Sequence, residues 1–109
     1  MKNKKIIKKN HEFQTIIGKN KSFKNSTFVI YYSKNKELNF RYGISVGTKI
    51  GNAVLRNKIK RKIRSIVFDI IKNDFNAPFD IIIIARKNLL YKTFEEVSKD
   101  LTNLIKSVK

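Results

Sequence analysis

Residues Gly51–Lys72 read GNAVLRNKIKRKIRSIVFDIIK, and the rest of the fold is organised around them. Apolar residues recur here with a helical period, which predicts one long amphipathic helix from about Ala53 to Lys72. At 100° per residue, its apolar side chains fall within about 120° of the helical wheel. These side chains are Leu55, Ile59, Ile63, Ile66, Val67 and Ile70. A helix with one apolar stripe packs that stripe against another layer of the structure.

Strands are predicted on both sides of this helix along the chain. Leu38–Val46 (LNFRYGISV) alternates between an apolar core face and a polar face. Gly43 on the polar face indicates that another group lies close to the backbone there. After the helix, Asn73–Pro78 is a break, and Asp80–Arg86 (DIIIIAR) is β-branched without alternation. That pattern is typical of a central strand covered on both faces, beside a parallel neighbour.

The remaining elements complete an αβββαβα order. They are a helix at about Asn10–Ile17, a short edge strand around Ser22–Phe23, a strand at Thr27–Ser33 and a final helix ending near Val108. A capping box of Thr93 and Glu96 opens the final helix. This order predicts an α+β two-layer sandwich with helices packed on one sheet. We expect a basic mobile arm at residues 1–9 and a single domain at residues 10–109.

The charge of the chain indicates a polyanionic partner. Its 109 residues include 25 Lys and Arg but only 8 Asp and Glu, a net charge of +17. Solubility alone needs a charge of only about 2–8 in a small domain. The absence of cysteine excludes disulfides and Cys-based zinc sites. The longest apolar run, Ile81–Ala85, is too short to cross a membrane, so a soluble cytoplasmic protein without a membrane partner is expected.

The basic residues of the long helix lie beside its apolar stripe. An arc of about 140° holds Arg56, Asn57, Lys60, Arg61 and Arg64, with Lys58 and Lys62 on the far side. A solvated helix face is the alternative interpretation. Against it, this arc holds three of the five arginines, and no acid lies nearby to relieve the repulsion. A glycine-containing turn also leads into the helix N-terminus, which favours phosphate binding.

Tyr31 is the preferred candidate for stacking on an unpaired base. It lies on the opposite strand face from Phe28, Ile30 and Tyr32, although a core position is the alternative.

No catalytic constellation is visible in the sequence. His11 is the only histidine and lies near the arm. No pair of carboxylates has the spacing of a two-metal site, and Glu96 with Asp100 reads as solvated helix charge. No serine has a recognisable base and orienting group. We therefore predict no catalytic residue and no metal ligand in this chain.

The segment Gly51–Arg64 resembles the signature of bacterial ribonuclease P protein subunits. The matching residues are Gly51, Asn52, Ala53, Val54, Arg56, Asn57, Lys60, Arg61 and Arg64. Further blocks match in order at Lys8–Phe13, Phe28–Tyr31, Tyr42–Lys49 and Asp80–Arg86. The sequence departs from the family pattern at Ile17, where a second aromatic is common, and at Thr48, where a lysine is common.

The resemblance implies a ribosomal-protein-like fold with a left-handed βαβ crossover, although pattern rules alone favour a right-handed one. It also implies a non-catalytic subunit of an endoribonuclease whose RNA removes the 5′ leader of precursor tRNA. The implied partners are ribonuclease P RNA and precursor tRNA, with Mg²⁺ bound mainly by the RNA and no small-molecule substrate. The alternative is a ribosomal or general basic RNA-binding protein.

The resemblance further assigns two sets of residues. The turn and helix that bind RNA would use Lys49, Asn52, Arg56, Asn57, Lys58, Lys60, Arg61 and Arg64. The cleft for the single-stranded leader would be lined by Phe13, Ile17, Tyr31, Lys60, Arg61 and Arg64.

Overall fold

A computed structural model describes residues 6–7, 10–35, 39–72 and 78–108. Its elements are α1 (Asn10–Gly18), β1 (Ser22–Lys24), β2 (Phe28–Lys34), β3 (Arg41–Ser45), α2 (Ala53–Lys72), β4 (Phe79–Ala85) and α3 (Phe94–Ser107). The αβββαβα order and the mixed α+β class are confirmed. A short 3₁₀ helix at Lys87–Tyr91 was not predicted, because one turn is too short to show a period. Residues 73–77 of the predicted break and Leu38, the predicted first residue of a strand, lie outside the described residues.

The sheet has the strand order β1-β2-β4-β3. The central strand β4 runs antiparallel to β2 and parallel to β3. Ile81, Ile82 and Ile83 of β4 are fully buried, so the prediction of a strand covered on both faces is confirmed. The handedness of the β3–α2–β4 crossover stays a prediction. No helix in the described part of the chain is long and apolar enough to cross a membrane.

The two faces of the sheet carry separate apolar clusters. On one face, α2 and α3 pack against Phe28, Ile30 and Ile83. The predicted stripe of α2 is buried here, namely Ile59, Ile63, Ile66, Val67 and Ile70, with Leu55 partly buried. The apolar residues of α3 and its C-cap are buried on the same face, namely Val97, Leu101, Leu104, Ile105 and Val108. On the other face, Ile16 of α1 packs against Ile82. The helix α1 therefore lies across the sheet from α2.

Two residues of the predicted basic arm are docked on the sheet. Ile6 bridges to Tyr42 in parallel register, and the Ile7 N–H donates to the Tyr42 carbonyl at 2.7 Å. Ile7 is buried. The prediction of a mobile arm therefore does not hold for these two residues, while residues 1–5 and 8–9 lie outside the described part.

A polar network joins β3, β4 and α1 at one end of the sheet. The Asp80 carboxylate accepts from Arg41 Nε at 2.8 Å and Arg41 Nη2 at 2.7 Å. Asn35 Nδ2 donates to the same carboxylate at 2.7 Å. Glu12 of α1 lies 3.7 Å from Arg41 Nη2. The network thereby connects α1 to the sheet.

Two acids of α3, Glu96 and Asp100, have hydrogen-bond partners within the chain. The capping box is confirmed, because Thr93 Oγ1 accepts from the Glu96 N–H and Glu96 Oε1 accepts from the Thr93 N–H. Asp100 accepts from Thr27 Oγ1 at 2.6 Å and from Lys92 Nζ at 3.1 Å. Glu96 is exposed, as the solvated interpretation predicted, although it also caps the helix. For Asp100 that interpretation was wrong, since Asp100 is half-buried and bonded to Thr27 and Lys92.

Replacing Thr27 with valine is expected to raise the pKa of Asp100 towards its ordinary value of 3.8. The Thr27 hydrogen bond is the largest cause that lowers this pKa, followed by Lys92. A carboxylate with a lowered pKa in the folded state stabilises the fold above pH 3.8. That stability is lost as the pH falls through the lower, folded-state pKa, so the variant should lose less stability on acidification.

An NMR titration of the Asp100 carboxyl carbon measures this pKa directly. Thr102→Val, an equivalent substitution on α3, is the control and should leave the Asp100 titration unchanged. An unchanged Asp100 titration in Thr27→Val would contradict the assignment of the hydrogen bond as the main cause.

Candidate nucleic-acid interface

The start of α2 is built by two residues that the sequence predicted to contact RNA. Asn52 Oδ1 accepts from the Leu55 N–H at 2.9 Å, so Asn52 is the N-cap of the helix. Arg56 Nε donates to the Gly51 carbonyl at 3.1 Å and fixes the preceding turn. This bond uses one of five guanidinium donors, so Arg56 retains capacity for phosphate. An asparagine directly before a helical period is the signal for this cap in the sequence.

The N-terminal half of α2 presents unpaired positive charge. Its first turn has no acidic residue, so the positive end of the helix dipole is not neutralised there. Asn57, Lys58, Arg61 and Arg64 are exposed, as is Lys49 in the turn, and Lys60 is partly buried. Within the ranges that the structure describes, none of these lysines and arginines forms an ion pair. The arrangement therefore suits an anionic polymer.

A cleft of about 560 Å³ lies beside β3, between the N-terminal segment and α2. Its lining residues are Ile6, Ile7, Phe13, Tyr42, Ile44, Lys60 and Arg64. We call it the leader cleft, after the role that the resemblance implies. It combines an apolar wall with two cations from successive turns of α2. Such a surface suits an unpaired strand, whose bases and phosphates need different contacts.

Gly43 sets how closely α1 approaches the sheet at this cleft. A Cβ built on Gly43 would lie 2.6 Å from the Phe13 ring and 3.0 Å from the Ile7 carbonyl. The predicted close approach at Gly43 is therefore found, and Phe13 and Ile7 make it. Both residues line the leader cleft, so the absence of a side chain at position 43 shapes its wall.

Tyr42 and Arg64 both line the leader cleft, and the charge of Arg64 affects the pKa of the Tyr42 hydroxyl. Burial raises the pKa of the Tyr42 hydroxyl above 10.0, and the positive charge of Arg64 acts in the opposite direction. The net direction is upwards, so Tyr42 stays protonated and can donate a hydrogen bond at neutral pH.

Three predicted cleft residues lie outside the lining. Ile17 and Tyr31 are half-buried in the apolar cluster between α1 and the sheet, on the same face as Phe13. The face predicted for Tyr31 is therefore correct. Arg61 is exposed on α2 next to the turn that carries Arg64, but it does not line the cavity. Tyr31 is on β2, which β4 separates from the cleft beside β3, so the structure does not bring these three residues together with Lys60 and Arg64 in one cavity.

The sequence reading missed four lining residues. Tyr42 and Ile44 were assigned to the core face of their strand, and they are buried and half-buried there. Ile6 and Ile7 were placed in the arm. The one signal in the sequence that Ile6 and Ile7 pack on the sheet is that they form an apolar pair within a basic segment.

A second depression of about 270 Å³ contains His11, Glu12, Arg41 and Asp80. The described ranges contain no group of three or more His, Cys, Asp or Glu side chains that could hold a metal ion. Arg41 and Asp80 are engaged with each other, which gives them a structural role in the network that positions α1.

Comparison with known proteins identifies close relatives. The ribonuclease P family model matches residues 1–109. The ribonuclease P protein component of Mesoplasma florum is 57% identical over 96% of each chain. The solved structure of the Staphylococcus aureus RNase P protein has a TM-score of 0.84 at 46% identity, and the match covers 96% of this chain and 95% of that one. The RNase P protein from Thermotoga maritima has a TM-score of 0.83 at 34% identity, covering 94% and 96%.

Proposed function

The chain belongs to the ribonuclease P protein family, and from this premise we propose how it serves removal of the tRNA 5′ leader. It is a protein subunit of the endoribonuclease that matures tRNA 5′ ends. In our proposal, the turn and first half of α2 bind the catalytic RNA, and the leader cleft receives the 5′ leader of precursor tRNA. The complex would act in the cytoplasm.

The observation that carries this proposal is the composition of the leader cleft. Phe13 from α1 and Lys60 and Arg64 from α2 line one cavity, although Phe13 precedes both cations by 47 or more positions in the chain. An aromatic ring can stack on an unpaired base, while the two cations contact the backbone. Neither contact reads base identity, so the cleft would accept leaders of many sequences.

The catalytic RNA is assigned to the other contacts of the basic surface. Lys49 precedes the helix, and Asn52, Arg56, Asn57 and Lys58 occupy its first two turns, where the helix dipole adds positive potential. Arg61 lies between this surface and the leader cleft, so it can contact either RNA. Folded RNA presents closely spaced phosphates to such a surface.

Mg²⁺ would be bound mainly by the RNA subunit and would supply the hydrolytic chemistry there. In our proposal, the chain holds two polyanions together and reduces their mutual repulsion. Binding the leader also orients the scissile bond towards the catalytic RNA. No proton transfer by a side chain of this protein is required.

Reconstitution with a bacterial ribonuclease P RNA tests the proposed function. At low Mg²⁺ we expect the chain to accelerate cleavage of precursor tRNA. The gain should be larger for a substrate with a leader of several nucleotides than for one with a single leader nucleotide. Unchanged cleavage at low Mg²⁺ would refute the function, while a gain independent of leader length would refute the leader cleft alone.

Replacing Arg64 or Arg61 with alanine is expected to weaken RNA binding without unfolding the protein. Both side chains are exposed, so little packing is lost. Arg64→Ala should weaken binding of the precursor more than binding of mature tRNA, because Arg64 lines the leader cleft. Lys106→Ala on α3 is the control for loss of one positive charge away from the interface. Circular dichroism checks the fold, and its collapse would make these arginines structural.

A further inference from the structure

A groove of about 230 Å³ lies on the other flank of α2, between that helix and the start of α3. Leu55 and Lys62 line it from α2, Leu90 lines it from the short 3₁₀ helix, and Phe94 lines it from the first position of α3. We call it the Phe94 groove. On the helical wheel, Leu55 and Lys62 lie more than about 140° from Lys60 and Arg64. The Phe94 groove is therefore distinct from the leader cleft.

The segment that supplies Leu90 and Phe94 to this groove exposes three large apolar side chains. Tyr91 is 77% exposed, Phe94 is 51% exposed and Leu90 is 39% exposed. In the described part of the chain, neither aromatic ring stacks on another ring. Single exposed apolar residues are ordinary, but three within five residues beside a groove form a patch that indicates a binding surface.

The charges around the Phe94 groove are positive and therefore favour an anionic ligand. Both ionisable lining residues are lysines, Lys62 and Lys92. Lys92 pairs with Asp100, whereas Lys62 has no ion pair with any residue that the structure places. Glu95 and Glu96 are nearby in sequence but do not line the groove, and Glu96 caps α3. The groove therefore offers one available cation beside exposed aromatic rings.

The Phe94 groove also continues the proposed RNA-binding surface. Lys58 lies one helical turn before Lys62, and on a helix residues four apart are neighbours. Lys58 is one of the residues assigned to the catalytic RNA. An RNA bound there can continue past Lys62 into the groove.

We propose that the Phe94 groove is a second RNA-binding site that takes one unpaired nucleotide. The base stacks on Phe94, with Tyr91 beside it, and Lys62 neutralises the adjacent phosphate. Duplex RNA is excluded because its bases are already paired and stacked. This inference rests on the proposed function, since it assumes that RNA is the partner.

The chain contains no tryptophan, so one introduced tryptophan reports on its own surroundings. We expect the fluorescence of Phe94→Trp to be quenched when a short single-stranded oligoadenylate is added, and not when the same strand is in a duplex. Phe23→Trp, on the edge strand β1 and outside the lining of the groove, is the control and should not be quenched. Tyr91→Trp provides a second reporter at the groove if Phe94→Trp fails to fold.

Two further variants test the role of Lys62. Lys106→Gln added to Phe94→Trp removes one exposed positive charge outside both cavities and should leave the quenching midpoint unchanged. Lys62→Gln added to Phe94→Trp should move the midpoint to a higher RNA concentration and reduce its salt slope by about one.

The outcomes distinguish failure of this inference from failure of the proposed function. Binding of labelled oligoadenylate by fluorescence anisotropy, without quenching at either groove reporter, would overturn the second site and leave the function intact. Absence of any RNA binding would overturn both. Quenching by an acidic polyglutamate peptide but not by RNA would assign the groove to a protein partner and overturn the inference.

Discussion

Replacing Asp80 with alanine is expected to lower the free energy of unfolding by about 3 kcal/mol. Loss of one partner from a buried ion pair costs about 3–5 kcal/mol, because the remaining charge is left without compensation. The side chain of Asp80 is 11% exposed and that of Arg41 is 24% exposed, so water compensates Arg41 in part. This partial access places the expected loss at the lower end of the range.

The geometry of the Arg41–Asp80 pair explains why no other acid can compensate for the loss of Asp80. Arg41 and Asp80 are register partners on the parallel strands β3 and β4. Two guanidinium nitrogens and the Asn35 amide donate to one carboxylate, so three donors lose their acceptor together. Glu12, at 3.7 Å from Arg41, is too distant to replace these bonds.

Chemical denaturation of matched variants measures the effect. Asp69→Ala is the control, since Asp69 pairs with Lys72 at 3.8 Å on an exposed helix face. Such surface pairs contribute only about 0.2–1 kcal/mol. The double variant Arg41→Met/Asp80→Leu should recover much of the loss, because it removes both charges together. An Asp80→Ala variant as stable as Asp69→Ala would show that the network contributes little.

The positions of the strands follow from local patterns, but their ends do not. Leu38–Val46 was predicted as one strand, whereas β3 spans Arg41–Ser45. Its pairing begins where β4 offers a partner, at the Arg41–Asp80 register position. Pro78 comes just before β4 and has no N–H for a ladder. The limit of β3 therefore depends on a segment almost 40 residues away, which the alternation in β3 cannot reveal.

The candidate site was predictable where it lies on one helix and not where it joins distant segments. The wheel of α2 places Lys60 and Arg64 correctly beside the apolar stripe, because helical geometry is local. Gly43 indicated a close neighbour, but only the folded chain identifies Phe13 and Ile7. A contact between segments that are far apart in the sequence leaves no periodic pattern in either of them.

Raising the salt concentration from 50 to 200 mM is expected to weaken binding of the catalytic RNA by about 10²-fold. Four cations outside the leader cleft can contact this RNA, namely Lys49, Arg56, Lys58 and Arg61. Each neutralised phosphate adds about 0.9 to the slope of log affinity against log salt, so four contacts give about 10²-fold over this interval. The physical cause is release of counterions from the RNA when protein cations replace them.

Measurement of this dependence requires a constant Mg²⁺ concentration, because Mg²⁺ also competes for phosphates. The slope of log affinity against log salt then counts the phosphates that the chain neutralises. Arg61→Gln should reduce that slope by about one unit, whereas Lys106→Gln, with the same loss of charge on α3, should leave it unchanged. Equal slopes for these two variants would show that net charge, and not the surface of α2, determines binding.

A shallow slope in the unmodified protein would exclude phosphate contacts as the main source of affinity. Stacking in the leader cleft and in the Phe94 groove would then have to supply it, since stacking depends little on salt.

Stacking and phosphate contacts also respond differently to substitution. Phe13→Leu should weaken binding of precursor tRNA at every salt concentration by a constant factor, because it removes a ring and no charge. Arg64→Gln should instead weaken binding most at low salt, where each released counterion contributes most to affinity.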